Sequence, residues 1–156
     1  MQTLAYGPWL LIFDRDATIT AHSSMKMGGA ESCRCGDCAN FARQKPVPYP
    51  KEFMKLLTLL GVDPQREIEV YNQYVLADQE YVDYAGWFYF VDHVQRGDEN
   101  AMNAGLFNWY VREGQNYKAS EFEGNAVSRI EFRDLRLPVI DRSPLYRPNG
   151  HKFTSD

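Results

Sequence analysis

Three cysteines close together in the sequence are the side chains best suited to chemistry. They form the string Cys33-Arg-Cys35-Gly-Asp-Cys38, which contains every cysteine of the chain. Because three is an odd number, a complete disulfide framework is excluded. The C-x-C-x-x-C spacing lets a loop and the first turn of a following helix direct three thiolates at one point, which suits a tetrahedral zinc site that lacks one ligand. We therefore predict a zinc-binding loop and helix start within residues 22–45, with zinc in a structural role.

The fourth zinc ligand must come from outside the three cysteines. The candidates are the histidines His22, His93 and His151, and a carboxylate such as Asp37. His22 is the histidine nearest to the cysteines in sequence and lies at the end of the first predicted β segment. It can reach the loop with little additional ordering of the chain. We therefore predict that His22 completes the site.

Two other interpretations of the cysteines remain open. In the first, all three are reduced thiols without a ligand. In the second, Cys35 and Cys38 form a redox-active C-x-x-C pair near a helix start, where the helix N-terminus lowers the pKa of a thiol. The β-α-β pattern that surrounds the C-x-x-C motif of thioredoxin is missing from this sequence.

The cysteine segment has a local resemblance to a known zinc motif. From Cys33 to Arg43 the sequence reads C-x-C-x-x-C-x-N-F-x-R, which resembles the zinc motif of tRNA-guanine transglycosylases, where a later histidine completes the site. The resemblance implies a metal-binding role for Cys33, Cys35 and Cys38. It implies no catalytic role, because the barrel of that enzyme is too large for this chain.

A second motif with catalytic potential begins at Asp14. Four apolar residues precede the string Asp14-Arg-Asp16-Ala17-Thr, which resembles the first motif of haloacid-dehalogenase-type phosphatases, D-x-D-x-T. The resemblance implies that Asp14 is a nucleophile and Asp16 a general acid beside Mg²⁺. The chain departs from that family, because Ala17 replaces the usual glycine and no strand–helix alternation follows. The alternative, which we prefer, is a hairpin with Asp14 to Asp16 at its tip.

The elements that must position these motifs are predicted from the spacing of apolar residues. Between Pro50 and Gly61 these residues recur at i, i+3, i+4 and i+7, which predicts a short amphipathic helix. Strand-like segments occur at 9–21, 70–76, 81–94, 106–111 and 126–139. The connections between them are too short for crossover helices. The prediction is an α+β fold with a mainly antiparallel sheet, one or two short helices and a cysteine-clustered loop.

Length and composition limit the classes of protein. The chain has 156 residues, 44% of them hydrophobic, and a formal net charge of −4, which predicts a single domain over 1–156 with an irregular tail at 141–156. An acidic chain is a poor general binder of nucleic acid or of anionic membranes. No apolar segment approaches the length of about 20 residues needed to span a bilayer, and no signal peptide precedes the first strand. We therefore expect a cytoplasmic protein.

The middle third of the chain combines acidic and aromatic side chains. Residues 63–100 carry two basic and nine acidic side chains, a net charge of −7, and eight of the 22 aromatic residues. Tyrosine and tryptophan anchor many protein interfaces, and carboxylates steer a basic partner. We predict a partner-binding surface formed by Asp78, Glu80, Tyr81, Asp83, Tyr84 and Trp87. The alternative is that the aromatic residues are core and the acids a solvated face.

The strand predicted at 81–94 is apolar on both of its faces. Its alternation assigns Trp87 and Tyr89 to one side and Phe88 and Phe90 to the other. Either a second layer of structure covers the strand, or an aromatic patch remains exposed for binding.

Over residues 33–137 the chain is similar to small uncharacterised bacterial proteins. The similarity rests on C-x-C-x-x-C-x-N-F, on a leucine-rich helix that ends in L-G-V-D-P, and on the later segments E-V-Y and G-W-F-Y-F. It implies no known activity. From the residues we predict a non-catalytic binding protein, in particular an immunity protein or inhibitor that blocks a toxin through the acidic, aromatic surface. The alternatives are a phosphatase that uses Asp14 and Asp16, and a zinc-dependent enzyme.

Overall fold

The computed structural model describes residues 1–74, 80–97, 101–114, 119–143 and 145, without the side chains of residues 93–96. Within these ranges the chain forms seven strands and four α-helices. The strands are β1 (Gln2–Tyr6), β2 (Trp9–Phe13), β3 (Glu69–Asn72), β4 (Tyr81–Gly97), β5 (Met102–Ala104), β6 (Phe107–Glu113) and β7 (Val127–Pro138). The helices are α1 (Arg15–Ser24), α2 (Gly29–Ser32), α3 (Gly36–Ala42) and α4 (Lys51–Leu60), and Ser120–Phe122 forms a 3₁₀ turn.

The strand pairs of the described residues are all antiparallel. Their order across the sheet is β1-β2-β4-β7-β6-β5, and β3 also pairs with β4. The long strand β4 is central, because β7 pairs with residues 81–91, β3 with residues 84–87 and β2 with residues 92–97. The predicted α+β fold with a mainly antiparallel sheet is confirmed, although it contains more helices than the one or two expected.

Helix α4 covers the main core. Its apolar residues Phe53, Leu56 and Leu60 are fully buried, as their spacing predicts. Gly61 follows with φ +78°, a left-handed conformation that glycine adopts without steric cost and that ends the helix. Pro50 is the N-cap of the helix and lies just before its first turn.

The segment predicted as a first strand or hairpin over 9–21 is a strand followed by a helix. Strand β2 ends at Phe13, and Asp14 caps α1 by accepting a hydrogen bond from the backbone N–H of Ala17 at 2.9 Å. The hairpin tip predicted at Asp14 to Asp16 is therefore wrong. An aspartate that directly follows an apolar run is also a helix-capping signal, and here the cap prevails over the turn.

Both faces of β4 are buried over residues 88–92. Phe88 and Phe90 lie in the main core, together with residues of α3 and α4. Tyr89 and Val91 pack in a second cluster with residues of α1 and of the 3₁₀ turn. A second layer of structure therefore covers this part of β4, which explains why the strand is apolar on both faces.

Helix α1 is also hydrogen-bonded to the backbone of β4. The Nε2 atom of His22 donates to the carbonyl of Tyr89 at 2.9 Å, and the N–H of Val91 donates to the hydroxyl of Thr18 at 3.0 Å. Thr18 and His22 are four residues apart and share one face of the helix. Their side chains provide hydrogen-bond partners for backbone groups of Tyr89 and Val91, two residues of β4 that pair with neither β2 nor β3.

Candidate metal centre

Two short helices meet at the cysteine segment. Cys33 follows the last residue of α2, and its backbone N–H donates to the carbonyl of Gly29 at 3.2 Å. Cys35 is the N-cap of α3, and Cys38 lies in the first turn of that helix. The cysteines therefore occupy a loop and a helix start, as their spacing predicts.

The three sulfur atoms converge on one point. They all lie within 4.8 Å of one another, and the Sγ atoms of Cys33 and Cys35 are 3.4 Å apart. Tetrahedral zinc–thiolate bonds of about 2.3 Å place two sulfurs about 3.8 Å apart, so small side-chain shifts complete this geometry. Cys35 is exposed, Cys33 is half-buried, and Cys38 is buried with its Sγ 3.7 Å from the carbonyl oxygen of Val70. The cluster thus lies at the surface, and its deepest sulfur contacts β3.

Burial and hydrogen bonding act in opposite directions on these thiols. Burial alone would raise the pKa of Cys33, but hydrogen bonds from the backbone N–H of Cys35 and from the neighbouring thiols outweigh it, so this pKa is lowered. Burial raises the pKa of the Cys38 thiol, and the sulfurs of Cys33 and Cys35 raise it further. The raised pKa favours the protonated form of Cys38, and a cation bound by the three sulfurs would favour its thiolate.

The carboxylate of Asp37, a candidate fourth ligand, is engaged by other groups. It forms an ion pair with Arg142, with 2.9 Å between Oδ1 and Nε, and accepts a hydrogen bond from Asn72 at 3.1 Å. Gly36 lies against the same segment, because a Cβ atom there would come within 2.5 Å of the carbonyl oxygen of Arg142. The chain after β7 therefore covers the start of α3.

The asparagine of the C-x-C-x-x-C-x-N-F string has a packing role. Asn40 is fully buried, and its Nδ2 donates to the hydroxyl of Tyr84 at 3.0 Å and to the carbonyl of Pro138 at 3.1 Å. Its Oδ1 accepts a hydrogen bond from the backbone N–H of Ile140 at 2.8 Å. Asn40 therefore attaches the helix that carries Cys38 to β4 and to the segment after β7.

The structure does not bring His22 to the cysteines. His22 is buried in α1, its Nε2 is hydrogen-bonded to Tyr89, and its ring packs edge-on against Phe122 with 5.4 Å between the ring centroids. It is not among the clustered ligand atoms. Helix α1 directs His22, the histidine nearest to the cysteines in sequence, against β4. The structure therefore does not support the prediction that His22 is the fourth ligand.

The other candidate ligands give no fourth member of the cluster within the described residues. The side chain of His93 and the whole of His151 lie outside the described part of the chain. Among the residues that are described, no histidine, aspartate or glutamate joins the three cysteines in a common group.

The aspartates of the phosphatase-like motif lie in a different setting from the one that the resemblance implies. Asp14 uses its carboxylate to cap α1, and Asp16 lies in the first turn of that helix. Strand β2, which precedes them, is antiparallel to both of its neighbours. A parallel sheet whose strands end beside a metal site is the arrangement that this chemistry needs.

The residues predicted to bind a partner differ in their burial. Tyr84 is 0% exposed, and its hydroxyl donates to the carbonyl of Asp37 at 2.7 Å, so this side chain belongs to the core. Tyr81 is 51% exposed, and Glu80 is exposed as well. Asp78 lies outside the described residues.

The remaining two predicted partner residues contact arginines of β7. The carboxylate of Asp83 accepts two hydrogen bonds from Arg136, at 2.9 and 3.0 Å. Trp87 is half-buried, and the guanidinium of Arg129 lies 5.7 Å from the centroid of its ring. Arg136 therefore neutralises one carboxylate of the acidic middle third, whereas Arg129 forms its ion pair with Glu131 of β7.

A buried charge cluster that includes Glu31 of α2 was not predicted. The Nζ atom of Lys45 lies 2.8 Å from a carboxylate oxygen of Glu67 and 2.8 Å from one of Glu31, and the Glu67 side chain is fully buried. Glu67 also borders a cleft of about 510 Å³. The signal in the sequence was the pair Gly28-Gly29, because a Cβ atom at Gly28 would come within 2.5 Å of the Glu67 carboxylate.

Comparisons with known proteins add no relative to this description. No family model matches the chain, and no curated protein or solved structure is significantly similar to it. Within the described part of the chain, the search for membrane-spanning helices finds none that is long and apolar enough.

Proposed function

We propose that the protein binds one structural zinc ion through Cys33, Cys35 and Cys38. The observation that carries this proposal is the convergence of the three sulfur atoms within 4.8 Å. A metal at this point would connect the end of α2 to the start of α3 and, through Cys38, to β3. Such a connection compensates for the small size of the two helices, which have four and seven residues.

The donor set favours zinc over other metals. Thiolate ligands select zinc, copper(I) or iron–sulfur clusters, and the common clusters need four cysteines. Zinc accepts a tetrahedral site in which water or a group from elsewhere takes the fourth position. No described base joins the three thiols, which supports a structural role for the metal over a zinc-dependent enzyme.

Metal analysis tests this proposal. Protein purified without added zinc is expected to contain one zinc per chain, and chelation should lower its melting temperature. Cys35→Ser should lose the metal, and its melting temperature should fall by as much as chelation lowers that of the wild type. Arg34→Ala should keep the metal and the wild-type melting temperature, because Arg34 is exposed between two ligands and supplies no ligand atom. A chain that stays below one zinc after zinc is supplied would refute the site.

We further propose that the protein is non-catalytic and binds another protein. The proposed partner is a toxin, which this chain blocks as an immunity protein. Three tyrosines support this second function, namely Tyr71, Tyr74 and Tyr81, which are 43%, 50% and 51% exposed. Tyr71 pairs with Ala85 of β4, and Tyr81 lies four residues before Ala85, so both tyrosines lie on the same face of the sheet. Exposed tyrosines at the end of a strand pair are typical anchors of protein interfaces.

The charge beside these tyrosines supports a partner that combines basic and polar groups. Glu80 is exposed, whereas Asp83 is neutralised by Arg136. The proposed surface is therefore smaller and less acidic than the one predicted from the sequence, and it no longer includes Tyr84.

Co-expression with a candidate toxin, such as the product of a neighbouring gene, tests the partner class. We expect the wild-type chain to restore growth and Tyr81→Ala to weaken the protection and the affinity. Leu106→Ala serves as the control, because Leu106 is 79% exposed on the opposite side of β7, beside β6. Absence of protection by the wild-type chain, or equal protection by both variants, would count against this surface.

A further inference from the structure

We propose that Cys33 and Cys35 form a reversible disulfide when the protein meets a hydroperoxide, and that this disulfide releases the metal. The inference rests on the proposed zinc site and adds a redox response to it. Disulfide formation removes two of the three thiolates that hold the metal, so the connection between α2, α3 and β3 is lost while the pair is oxidised.

The spacing of the sulfur atoms favours this pair. The Sγ atoms of Cys33 and Cys35 are 3.4 Å apart, and a disulfide brings two sulfurs to about 2.05 Å. Both residues have extended backbone conformations between the two helices, with ψ angles of 149° and 157°. The connecting loop can therefore close the pair without unwinding a helix.

Solvent accessibility also favours a bond between Cys33 and Cys35. Cys35 is exposed and is the sulfur that a soluble oxidant reaches first. Cys33 is half-buried beside it. Cys38 is buried within α3, and its sulfur lies against the carbonyl of Val70. The geometry therefore makes Cys33 the partner of Cys35 and leaves Cys38 reduced.

The chemistry balances with one hydroperoxide per disulfide. The sulfur of Cys35 attacks the peroxide O–O bond, which forms a sulfenic acid and, from hydrogen peroxide, one water. The sulfur of Cys33 then displaces the hydroxyl group from the sulfenic sulfur, which forms the S–S bond and a second water. The two thiols together lose two electrons and two protons, and a thiol reductant restores them by exchange.

Peptide mapping distinguishes this disulfide from its alternatives. Trypsin cuts after Lys26, Arg34 and Arg43, so Cys33 lies in peptide 27–34 while Cys35 and Cys38 lie in peptide 35–43. A Cys33–Cys35 bond links the two peptides, whereas a Cys35–Cys38 bond lies within the second. The zinc-loaded protein is treated with hydrogen peroxide, its remaining thiols are alkylated, and zinc release is followed with a chromogenic chelator.

We expect linked peptides that appear in proportion to the zinc released and disappear with dithiothreitol. The link should persist in the Cys38→Ser variant and be lost in Cys35→Ser. Retention of zinc under peroxide, or a bond between Cys35 and Cys38, would overturn the inference while leaving the zinc site intact. Protein that holds no zinc before oxidation would instead refute the proposed function, and the same peptide map of that apoprotein would still decide whether the pair forms.

Discussion

At the scale of single residues, buried polar side chains are explained by the backbone groups and charges that they satisfy. His22 and Thr18 complete the hydrogen bonds of β4 where its neighbouring strands leave a gap. Lys45 places its charge between Glu31 and the buried Glu67. Neither role is visible in the sequence, because each depends on residues more than 20 positions away or on the path of a neighbouring strand.

The environment of His22 predicts a dependence of stability on pH. Burial lowers the pKa of His22 below its usual value of 6.5, although the carbonyl of Tyr89 and the charge of Asp63 act in the other direction, and Arg66 lowers it as well. The unfolded chain therefore binds a proton before the folded chain does. The stability linked to this group is complete above its usual pKa and is lost as the pH falls below that value.

We expect the free energy of unfolding to fall from about pH 7 to about pH 5 more steeply in the wild type than in His22→Gln. Glutamine can still donate a hydrogen bond to Tyr89 but does not titrate. Urea denaturation at several pH values measures both slopes, and the difference between them removes contributions of other groups. Equal slopes would show that His22 does not titrate on unfolding.

The charge cluster predicts a strong effect of Lys45. Replacement by methionine leaves the Glu67 carboxylate buried without its cation, which costs about 3 to 5 kcal/mol of unfolding free energy. The double variant Lys45→Met with Glu67→Gln should recover most of this loss, because the amide carries no charge. Denaturant midpoints of the three proteins measure the effect. A loss below about 1 kcal/mol in the single variant would mean that water reaches the carboxylate.

At the scale of elements, the sequence predicts the helices and strands that are determined by local residue patterns. Helix α4 follows from its apolar spacing and from Gly61, and strands β6 and β7 lie within two residues of the expected limits. Helix α1 was missed, because Thr18 and Ile19 are β-branched and favour a strand locally. In the fold, the buried hydroxyl of Thr18 is needed at β4, so tertiary structure prevails over propensity.

The cap of α1 gives a prediction at this scale. Asp14→Ala removes the acceptor for the N–H of Ala17 and should lower the free energy of unfolding by about 1 kcal/mol, whereas Asp14→Asn keeps a capping side chain and most of the stability. Thermal or urea denaturation checks both variants. The biological activity should survive in Asp14→Asn. Mg²⁺-dependent hydrolysis of a phosphate ester that is lost in this variant would favour the phosphatase alternative.

At the scale of the whole molecule, one long strand organises two cores. Of the β4 aromatic residues predicted to bind a partner, Tyr84 lies in the main core, whereas Tyr81 is exposed and Trp87 is half-buried. Phe88 and Phe90 also fill the main core, and Tyr89 fills the second. The alternation along the strand predicted the two faces correctly. The cover of the second face comes from α1 and the 3₁₀ turn, and the sequence did not reveal α1.

The cysteine segment joins this sheet to its helices. The loop and helix start that carry the three thiols were predicted from spacing alone, since C-x-C-x-x-C confines the sulfurs to one region whatever surrounds them. The surrounding contacts were not predicted, because Val70, Arg142 and Pro138 reach this region through long-range topology.

Cobalt substitution is the most direct measurement of the central claim that these three thiols hold one metal ion. Co²⁺ takes zinc sites in tetrahedral geometry, and its near-ultraviolet charge-transfer band grows with each thiolate bound. We predict saturation at one Co²⁺ per chain, an intensity typical of three thiolates, and loss of the bound Co²⁺ and its band in each of Cys33→Ser, Cys35→Ser and Cys38→Ser, with Arg34→Ala unchanged. Binding without this band, or a band that one of the three variants leaves intact, would contradict the site.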